Sequence, residues 1–151
     1  MRISVSSDMD EAVARTLVSE LRGRGHDVVT HGALRPGDDP QWAVCAEAAA
    51  RDVSDGISEQ AVVCCWTGTG ASIAANKVAG VRAALCVDAY TADGARRWND
   101  ANVLALSLRL TSEPLLKEIL DAWFGAEPSP DAEDRRNVRH VDGLDSGRTM
   151  P

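Results

Sequence analysis

The chain has no long apolar stretch and little positive charge. No segment approaches the roughly 20 consecutive apolar residues of a membrane span, and residues 1–5 do not begin the apolar run of a signal peptide. Acidic residues outnumber basic ones, 23 to 16, and the basic residues form no cluster or stripe. These absences predict a cytoplasmic protein that binds neither nucleic acid nor an anionic membrane. A small anionic substrate would need locally placed arginines.

Metal-binding patterns are absent as well. The four cysteines form no CxxC pair, and no histidine lies near them to complete a zinc site. We therefore expect reduced thiols and no metal.

The residues that are present suit one compact domain, because a chain of 151 residues with 44% apolar residues can bury a real core. Strand-like and helix-like patterns alternate along it. Strands are expected at 3–6, 27–30, 61–65, 81–87 and 103–108, and helices at 10–24, 42–53, from near Ser72, 91–98 and 113–124. This alternation predicts an α/β fold, a three-layer αβα sandwich with a five-stranded parallel, Rossmann-like sheet. Ligands of such folds bind at the carboxyl ends of the strands.

The chain divides at residue 125 in this interpretation. Residues 1–125 would form the α/β domain and residues 126–151 a C-terminal arm. Within the arm, 128–134 resembles a linker, 135–141 could form one or two helical turns, and 146–151 is expected to be disordered.

A glycine-containing loop follows the third predicted strand. Its backbone N–H groups and the start of the next helix favour an anion, and the residues concerned are Gly68, Thr69, Gly70 and Ser72. The loop is neither a Walker loop nor the dinucleotide fingerprint, so no nucleotide cofactor is indicated. Two glycines are equally compatible with a tight strand-to-helix turn of no further function.

Cys65 is the last residue of that strand. A thiol beside a helix N-terminus can become a thiolate and act as a base. The alternative is that Cys64 and Cys65 are small core residues that point to opposite faces of the sheet.

Three runs make the chain recognisable: GTGASIAANK at 68–77, GVRAA at 80–84 and NDANVLAL at 99–106. They closely resemble ribose-5-phosphate isomerase B and its galactose-6-phosphate isomerase relatives, in register from Ser4 to Gly125. The resemblance implies that a phosphorylated sugar is interconverted between aldose and ketose through an enediolate, without metal or organic cofactor. It also implies a homodimer or homotetramer.

The resemblance also implies residue roles. Cys65 would move the proton between C1 and C2, Thr67 would lie beside the reacting oxygens, and Asn99 would help to hold the enediolate. Arg109, Arg135 and Arg139 would bind phosphate, the last two in the site of a neighbouring subunit. Apart from the family, Arg135 and Arg139 could simply form a solvated helical face, since acidic residues lie close by.

Several positions depart from the family pattern. Met9 follows Asp8 where the family usually has histidine, and Trp98 replaces the histidine proposed to open the sugar ring. Indole cannot accept a proton, so ring opening would need Thr67, Asp8 or an acyclic substrate.

The remaining departures concern tryptophan. Trp66 replaces a small residue after the base, and Trp42 lies in a loop region where the family often has tyrosine. We expect Trp42, Trp66 and Trp98 near the mouth of the site, with plain packing as the alternative.

Three functions remain open. The first is isomerisation of a pentose phosphate such as ribose 5-phosphate. The second is isomerisation of a shorter or open-chain sugar phosphate, which the two tryptophans at 66 and 98 favour. The third is a phosphosugar-binding protein without catalysis, which retention of Cys65, Thr67 and Asn99 disfavours.

Overall fold

A computed structural model of the chain describes residues 1–145, so the expected disordered end at 146–151 lies outside the described residues. Strands and helices alternate as the sequence predicts. Their bounds are β1 Arg2–Ser7, α1 Ala12–Gly23, β2 Asp27–Gly32, α2 Trp42–Ser54, β3 Gln60–Cys65, α3 Thr69–Ala75, β4 Ala83–Leu85, α4 Ala89–Asn99, β5 Val103–Ser107, α5 Glu113–Gly125 and α6 Ala132–Asp145. Across this range, no helix has both the length and the apolarity to cross a bilayer.

The five strands form one parallel sheet in the order β2-β1-β3-β5-β4. Helices cover both faces, which confirms the predicted three-layer α/β sandwich. The two faces are packed differently. One carries large side chains such as Leu17, Leu116 and Trp123, whereas the other is lined mainly by alanine and valine. Small residues let α2 and α3 approach the sheet closely, and this brings the start of α3 against the end of β3.

Several element bounds differ from the predictions by two or more residues, among them those of β4 and α3. β4 has only three residues instead of spanning 81–87, and side-chain amides bind the backbone at its start: the Asn76 amide pairs with both backbone groups of Ala83. The Asn102 amide binds Arg82 N–H and Gly80 C=O in the same way. α3 begins at Thr69 rather than near Ser72, because Ser72 N–H already donates to Gly68 C=O.

The arm forms a longer helix than predicted. α6 has 14 residues instead of one or two turns, and the Asp131 carboxylate accepts Glu133 N–H at its start. None of its residues is buried. Two polar contacts, which we call the α6 latch, tie it to the domain. Arg82 donates to Asp142 at 2.8 Å, and Gly80 N–H donates to Asp145 at 2.6 Å.

Candidate active site

The turn from β3 to α3, residues 65–70, is here called the Cys65 turn. Gly68 adopts a left-handed conformation with φ of 76°, which side-chain-bearing residues rarely tolerate. A Cβ atom at Gly68 would also lie 2.5 Å from Leu85 Cδ1 and 2.9 Å from the Leu106 carbonyl carbon. The glycine therefore lets the turn lie directly on β5, and the position of the Cys65 turn is fixed by backbone packing.

Cys65 lies at the bottom of this turn with 5% of its surface exposed. Its Sγ accepts the Ala71 N–H at 3.5 Å, a contact in which sulfur is the acceptor. Cys45 and Cys86 behave in the opposite way, since their thiols donate to the carbonyls of Trp42 and Ala84. Burial raises the pKa of Cys45 to about 11 and that of Cys86 to about 12. The Cys65 sulfur thus accepts a backbone N–H, whereas burial keeps the thiols of Cys45 and Cys86 protonated.

The other thiol of the pair, Cys64, points to the opposite face of the sheet. It belongs to the large-residue core, whereas Cys65 belongs to the alanine-rich one. Burial raises the pKa of Cys64 well above its ordinary range. The expectation that the two cysteines point to opposite faces of the sheet agrees with this packing.

Polar groups surround the open side of the Cys65 turn. The hydroxyls of Thr67 and Thr69 lie 2.7 Å apart and are exposed. At the first residues of a helix the N–H groups have no intrahelical acceptor, so those of Thr69 and Gly70 can bind a ligand oxygen. Ser72, one turn on, is half-buried.

Asp8 borders the same turn. It follows Ser7, which pairs with Cys64 in the sheet, so its carboxylate lies beside Cys65. Burial raises the pKa of Asp8, and N–H groups of Asp8 and Trp66 partly offset that rise. One carboxylate oxygen, Oδ1, is buried without a hydrogen-bond partner in the protein.

Met9, Trp66 and Arg109 complete this edge. Met9 and Trp66 are 40% and 46% exposed. Trp66 C=O accepts both the Ser107 hydroxyl and the Arg109 N–H, so the backbone of Arg109 lies next to the Cys65 turn. Among residues 1–145 no carboxylate pairs with the Arg109 side chain, and its charge is available to an anion.

The remaining predicted site residues lie elsewhere in the same chain. Asn99 ends α4, close to where β5 begins, whereas Cys65 pairs with Ser107 at the end of β5. The length of β5 alone separates them by roughly 13 Å. The structure therefore groups the predicted residues into two sets, one at the carboxyl edge of the sheet and one at its amino edge.

The second set lies beside α6. Trp98, Arg135 and Arg139 line a cavity of about 240 Å³, and Asn99 lines an adjacent one of about 270 Å³. Neither arginine has a carboxylate partner within the described chain. The prediction that Trp98 joins Trp42 and Trp66 is wrong within one chain, because the Trp98 ring lies over Gly94 and meets Tyr90 edge-on at 6.0 Å.

Asp100 organises this amino edge, and sequence reasoning missed its role. It adopts a left-handed conformation (φ 44°) directly after α4. Its carboxylate accepts from Arg82 and Arg96, and Arg82 also donates to its backbone carbonyl. Arg82 is in turn part of the α6 latch. A single arginine therefore connects the end of α4, which carries Asn99, to the helix that carries Arg135 and Arg139.

Two further features had no clear signal in the sequence. The Trp42 indole rests on Gly70, in the Cys65 turn. His31 has a largely buried side chain that bonds Asp52 at 2.7 Å, and Asp52 also accepts the Ser4 hydroxyl. Only the three-dimensional pairing of β1, β2 and α2 brings these polar residues together.

No cluster of three or more potential metal ligands occurs in the described range.

Comparison with known proteins agrees with this architecture. A solved ribose-5-phosphate isomerase B from Clostridium thermocellum superimposes with a TM-score of 0.88 and 32% identity, over 97% of this chain and 99% of that one. Ribose-5-phosphate isomerase B from Escherichia coli is 40% identical over 113 residues, 74% of either chain. D-erythrulose-4-phosphate isomerase from Pectobacterium atrosepticum is 36% identical over 128 residues, 83% of this chain and 84% of that protein.

The fold and these relatives define an α/β enzyme that isomerises sugar phosphates between aldose and ketose forms. Residues 3–142 match the model of the ribose/galactose isomerase family. The chain therefore belongs to that family.

Proposed function

We propose that the chain isomerises a sugar phosphate by proton transfer through the Cys65 thiolate. The observation that carries this proposal is the Ala71 N–H donated to Cys65 Sγ at the end of β3. Cys45 and Cys86 differ from Cys65 in that their thiols donate to carbonyl groups and burial raises their pKa. The free N–H groups of Thr69 and Gly70 lie next to it, where they would stabilise negative charge on a reacting oxygen.

The chemistry then needs few groups. In the aldose-to-ketose direction the thiolate removes the C2 proton, and the C–H electron pair forms a C1–C2 double bond while the C1 carbonyl electrons move onto oxygen. The enediolate is held by the N–H groups of the Cys65 turn, and the Thr67 hydroxyl is placed to move the proton between the two oxygens. Return of the proton from sulfur to C1 gives the ketose and restores the thiolate. The Asp8 carboxylate, which borders the turn at the Trp66 N–H, would accept a substrate hydroxyl.

A second copy of the chain would complete the site. Trp98, Asn99, Arg135 and Arg139 lie at the opposite edge from Cys65, and neither arginine forms an ion pair with a carboxylate of the described residues. A twofold dimer that places the amino edge of one subunit against the carboxyl edge of its partner supplies both sets to one substrate. We therefore propose a homodimer as the smallest active unit.

The substrate that fits best is a four-carbon sugar 4-phosphate. Its C4 oxygen is esterified, so it cannot close a furanose ring, and no ring-opening acid or base is required. None of the three histidines, all within the described residues, contacts the Cys65 turn: His26 stacks on Phe124, His31 bonds Asp52, and His140 is exposed on α6. The relative named D-erythrulose-4-phosphate isomerase also supports a four-carbon substrate.

A pentose 5-phosphate is the second candidate. The relatives named ribose-5-phosphate isomerase B favour it, and so does Asp8, whose raised pKa suits proton donation to a ring oxygen.

Solvent exchange separates these functions. The purified protein is incubated in D₂O with D-erythrulose 4-phosphate or D-ribulose 5-phosphate, and deuterium at C1 and C2 and the yield of aldose are followed by NMR. We expect exchange and turnover with both, with the higher kcat/KM for the four-carbon substrate. A higher kcat/KM for the pentose would assign ribose 5-phosphate chemistry. Binding of both compounds without exchange would mean a phosphosugar-binding protein and would overturn the isomerase proposal for these substrates.

A further inference from the structure

Trp42 is the first residue of α2, and its ring lies on the first turn of α3. A Cβ atom built on Gly70 would lie 2.9 Å from Trp42 Cε3, 3.1 Å from Cδ2 and 3.3 Å from Cζ3. The six-membered part of the indole is therefore stacked directly on the glycine backbone. Any larger residue at position 70 would displace the ring.

The ring is not a core residue. Trp42 is 47% exposed, whereas Trp123 is 1% exposed and donates its indole N–H to Gln60. One face of the Trp42 ring is covered by Gly70, and much of the remainder is open to solvent. A large, half-covered aromatic side chain of this kind is typical of a ligand-site wall rather than of internal packing.

The backbone fixes where this wall stands. The buried alanines of α2 and α3, among them Ala46 and Ala71, hold the two helices in close contact. Trp42 C=O also accepts the Cys45 thiol. Gly70 immediately precedes Ala71, whose N–H binds Cys65 Sγ. The indole therefore contacts the residue that immediately precedes the one whose N–H binds the sulfur.

We propose that the Trp42 indole sets the carbon-chain length of the substrate. This inference rests on the proposed function of the Cys65 turn. A substrate bound at the Cys65 turn would have the indole on the side of Gly70, where the ring would limit the space for the carbon chain between the reacting carbons and the phosphate. One extra carbon that a pocket cannot accommodate changes kcat/KM by about 10- to 200-fold. Trp42 is accordingly a specificity-determining residue.

The test compares kcat/KM for D-erythrulose 4-phosphate and D-ribulose 5-phosphate in Trp42→Ala, Trp42→Phe and wild-type protein. We expect Trp42→Ala to shift the ratio toward the five-carbon substrate by about 10-fold or more. Trp42→Phe keeps an aromatic face on Gly70, so it folds as the wild type does and shifts the ratio less. Val44→Ala is the matched control, because Val44 is a 44% exposed side chain on the same helix; its ratio stays at the wild-type value.

An unchanged ratio in both Trp42 variants, with activity retained, would overturn the inference and leave the proposed isomerase function intact. If Trp42→Ala does not fold, Trp42→Phe and Trp42→Leu decide the question in the same assay. Absence of turnover in the wild-type protein with either substrate would instead overturn the proposed function, and the inference with it.

Discussion

The carboxyl and amino edges of the sheet both carry predicted substrate residues, but they are built from different interactions. At the carboxyl edge, backbone packing holds the Cys65 turn, with Gly68 pressed on β5 and Ala71 N–H on sulfur. At the amino edge, ion pairs around Arg82 and Asp100 hold the end of α4 and tie down an otherwise unburied α6. The reacting group is therefore fixed by the fold, whereas the predicted phosphate-binding arginines lie on a helix that is attached by surface contacts.

Removal of the thiol should give the largest effect. We expect Cys65→Ala to lower kcat by about 10²- to 10⁴-fold, the usual contribution of a positioned general base. Thermal unfolding and steady-state kinetics measure fold and function separately. Cys64→Ala is the control: Cys64 faces the other core, so its loss reduces stability but leaves kcat near the wild-type value. Comparable activity in the Cys65 and Cys64 variants would contradict the assignment of the base.

Substitution of the α6 arginines should give the second-largest effect. Loss of a hydrogen bond to a charged group removes about 1.5–3 kcal/mol, so Arg135→Ala or Arg139→Ala should raise KM by about 10- to 100-fold. The effect on kcat should be smaller, and thermal stability should not change, because both side chains are exposed. Arg136→Ala, an exposed neighbour on α6, serves as the control. An equal rise in KM for Arg136→Ala would mean that general positive charge, and not these two positions, binds the substrate.

Substitution of Asp8 tests the carboxyl edge through the pH dependence of stability. Burial raises its pKa in the folded protein, so the ionised carboxylate destabilises the fold at neutral pH. Asp8→Asn should therefore raise the melting temperature at pH 7 while it lowers activity. This gain should shrink as the pH falls through the raised pKa and vanish below the ordinary carboxyl pKa, where Asp8 is neutral in both states. A gain that persists at the lowest pH would point to a packing effect.

The α6 latch should give the smallest effect. The Asp142 side chain is 48% exposed, and pairs of this kind contribute about 1 kcal/mol or less. Asp142→Asn should speed hydrogen exchange of the α6 amides, more so at low salt, with little change in global unfolding. Asp93→Asn breaks the surface pair with Arg97 on α4 and is the control. Equal exchange in the two variants would mean that α6 is held by something other than the latch.

The sheet and the Cys65 turn could be predicted because the signals are local. The apolar run of β3, the two glycines and the adjacent cysteine fall within ten residues of one another, and the alternation of strands and helices dictates which ends of the strands meet. Length was harder. β4 looked longer because Val81 and Val87 are apolar, but the amides of Asn76 and Asn102 take up the backbone groups at its start.

The contacts between distant segments could not be predicted in the same way. Trp42 and Gly70 are 28 positions apart, and nothing at either position indicates that the ring stacks on the glycine. The position of Trp98 was wrong within one chain because the resemblance assigned a neighbouring subunit's site to Arg135 and Arg139 but gave none for Trp98. Arg82, Asp100 and Asp142 come together only when α6 folds back beside α4.

Mixing two impaired variants, assayed at a substrate concentration well below the wild-type KM so that both are nearly inactive alone, tests the division of the site most directly. Cys65→Ala protein is combined with Arg135→Ala/Arg139→Ala protein at equal concentration, the chains are exchanged by mild denaturation and refolding, and activity is compared with that of each variant alone. If one subunit supplies the thiol and its partner the arginines, each mixed dimer contains one intact site, and about one quarter of wild-type activity returns. If the mixture remains as inactive as its parents while mixed dimers are present, thiol and arginines act in the same chain and the account is contradicted.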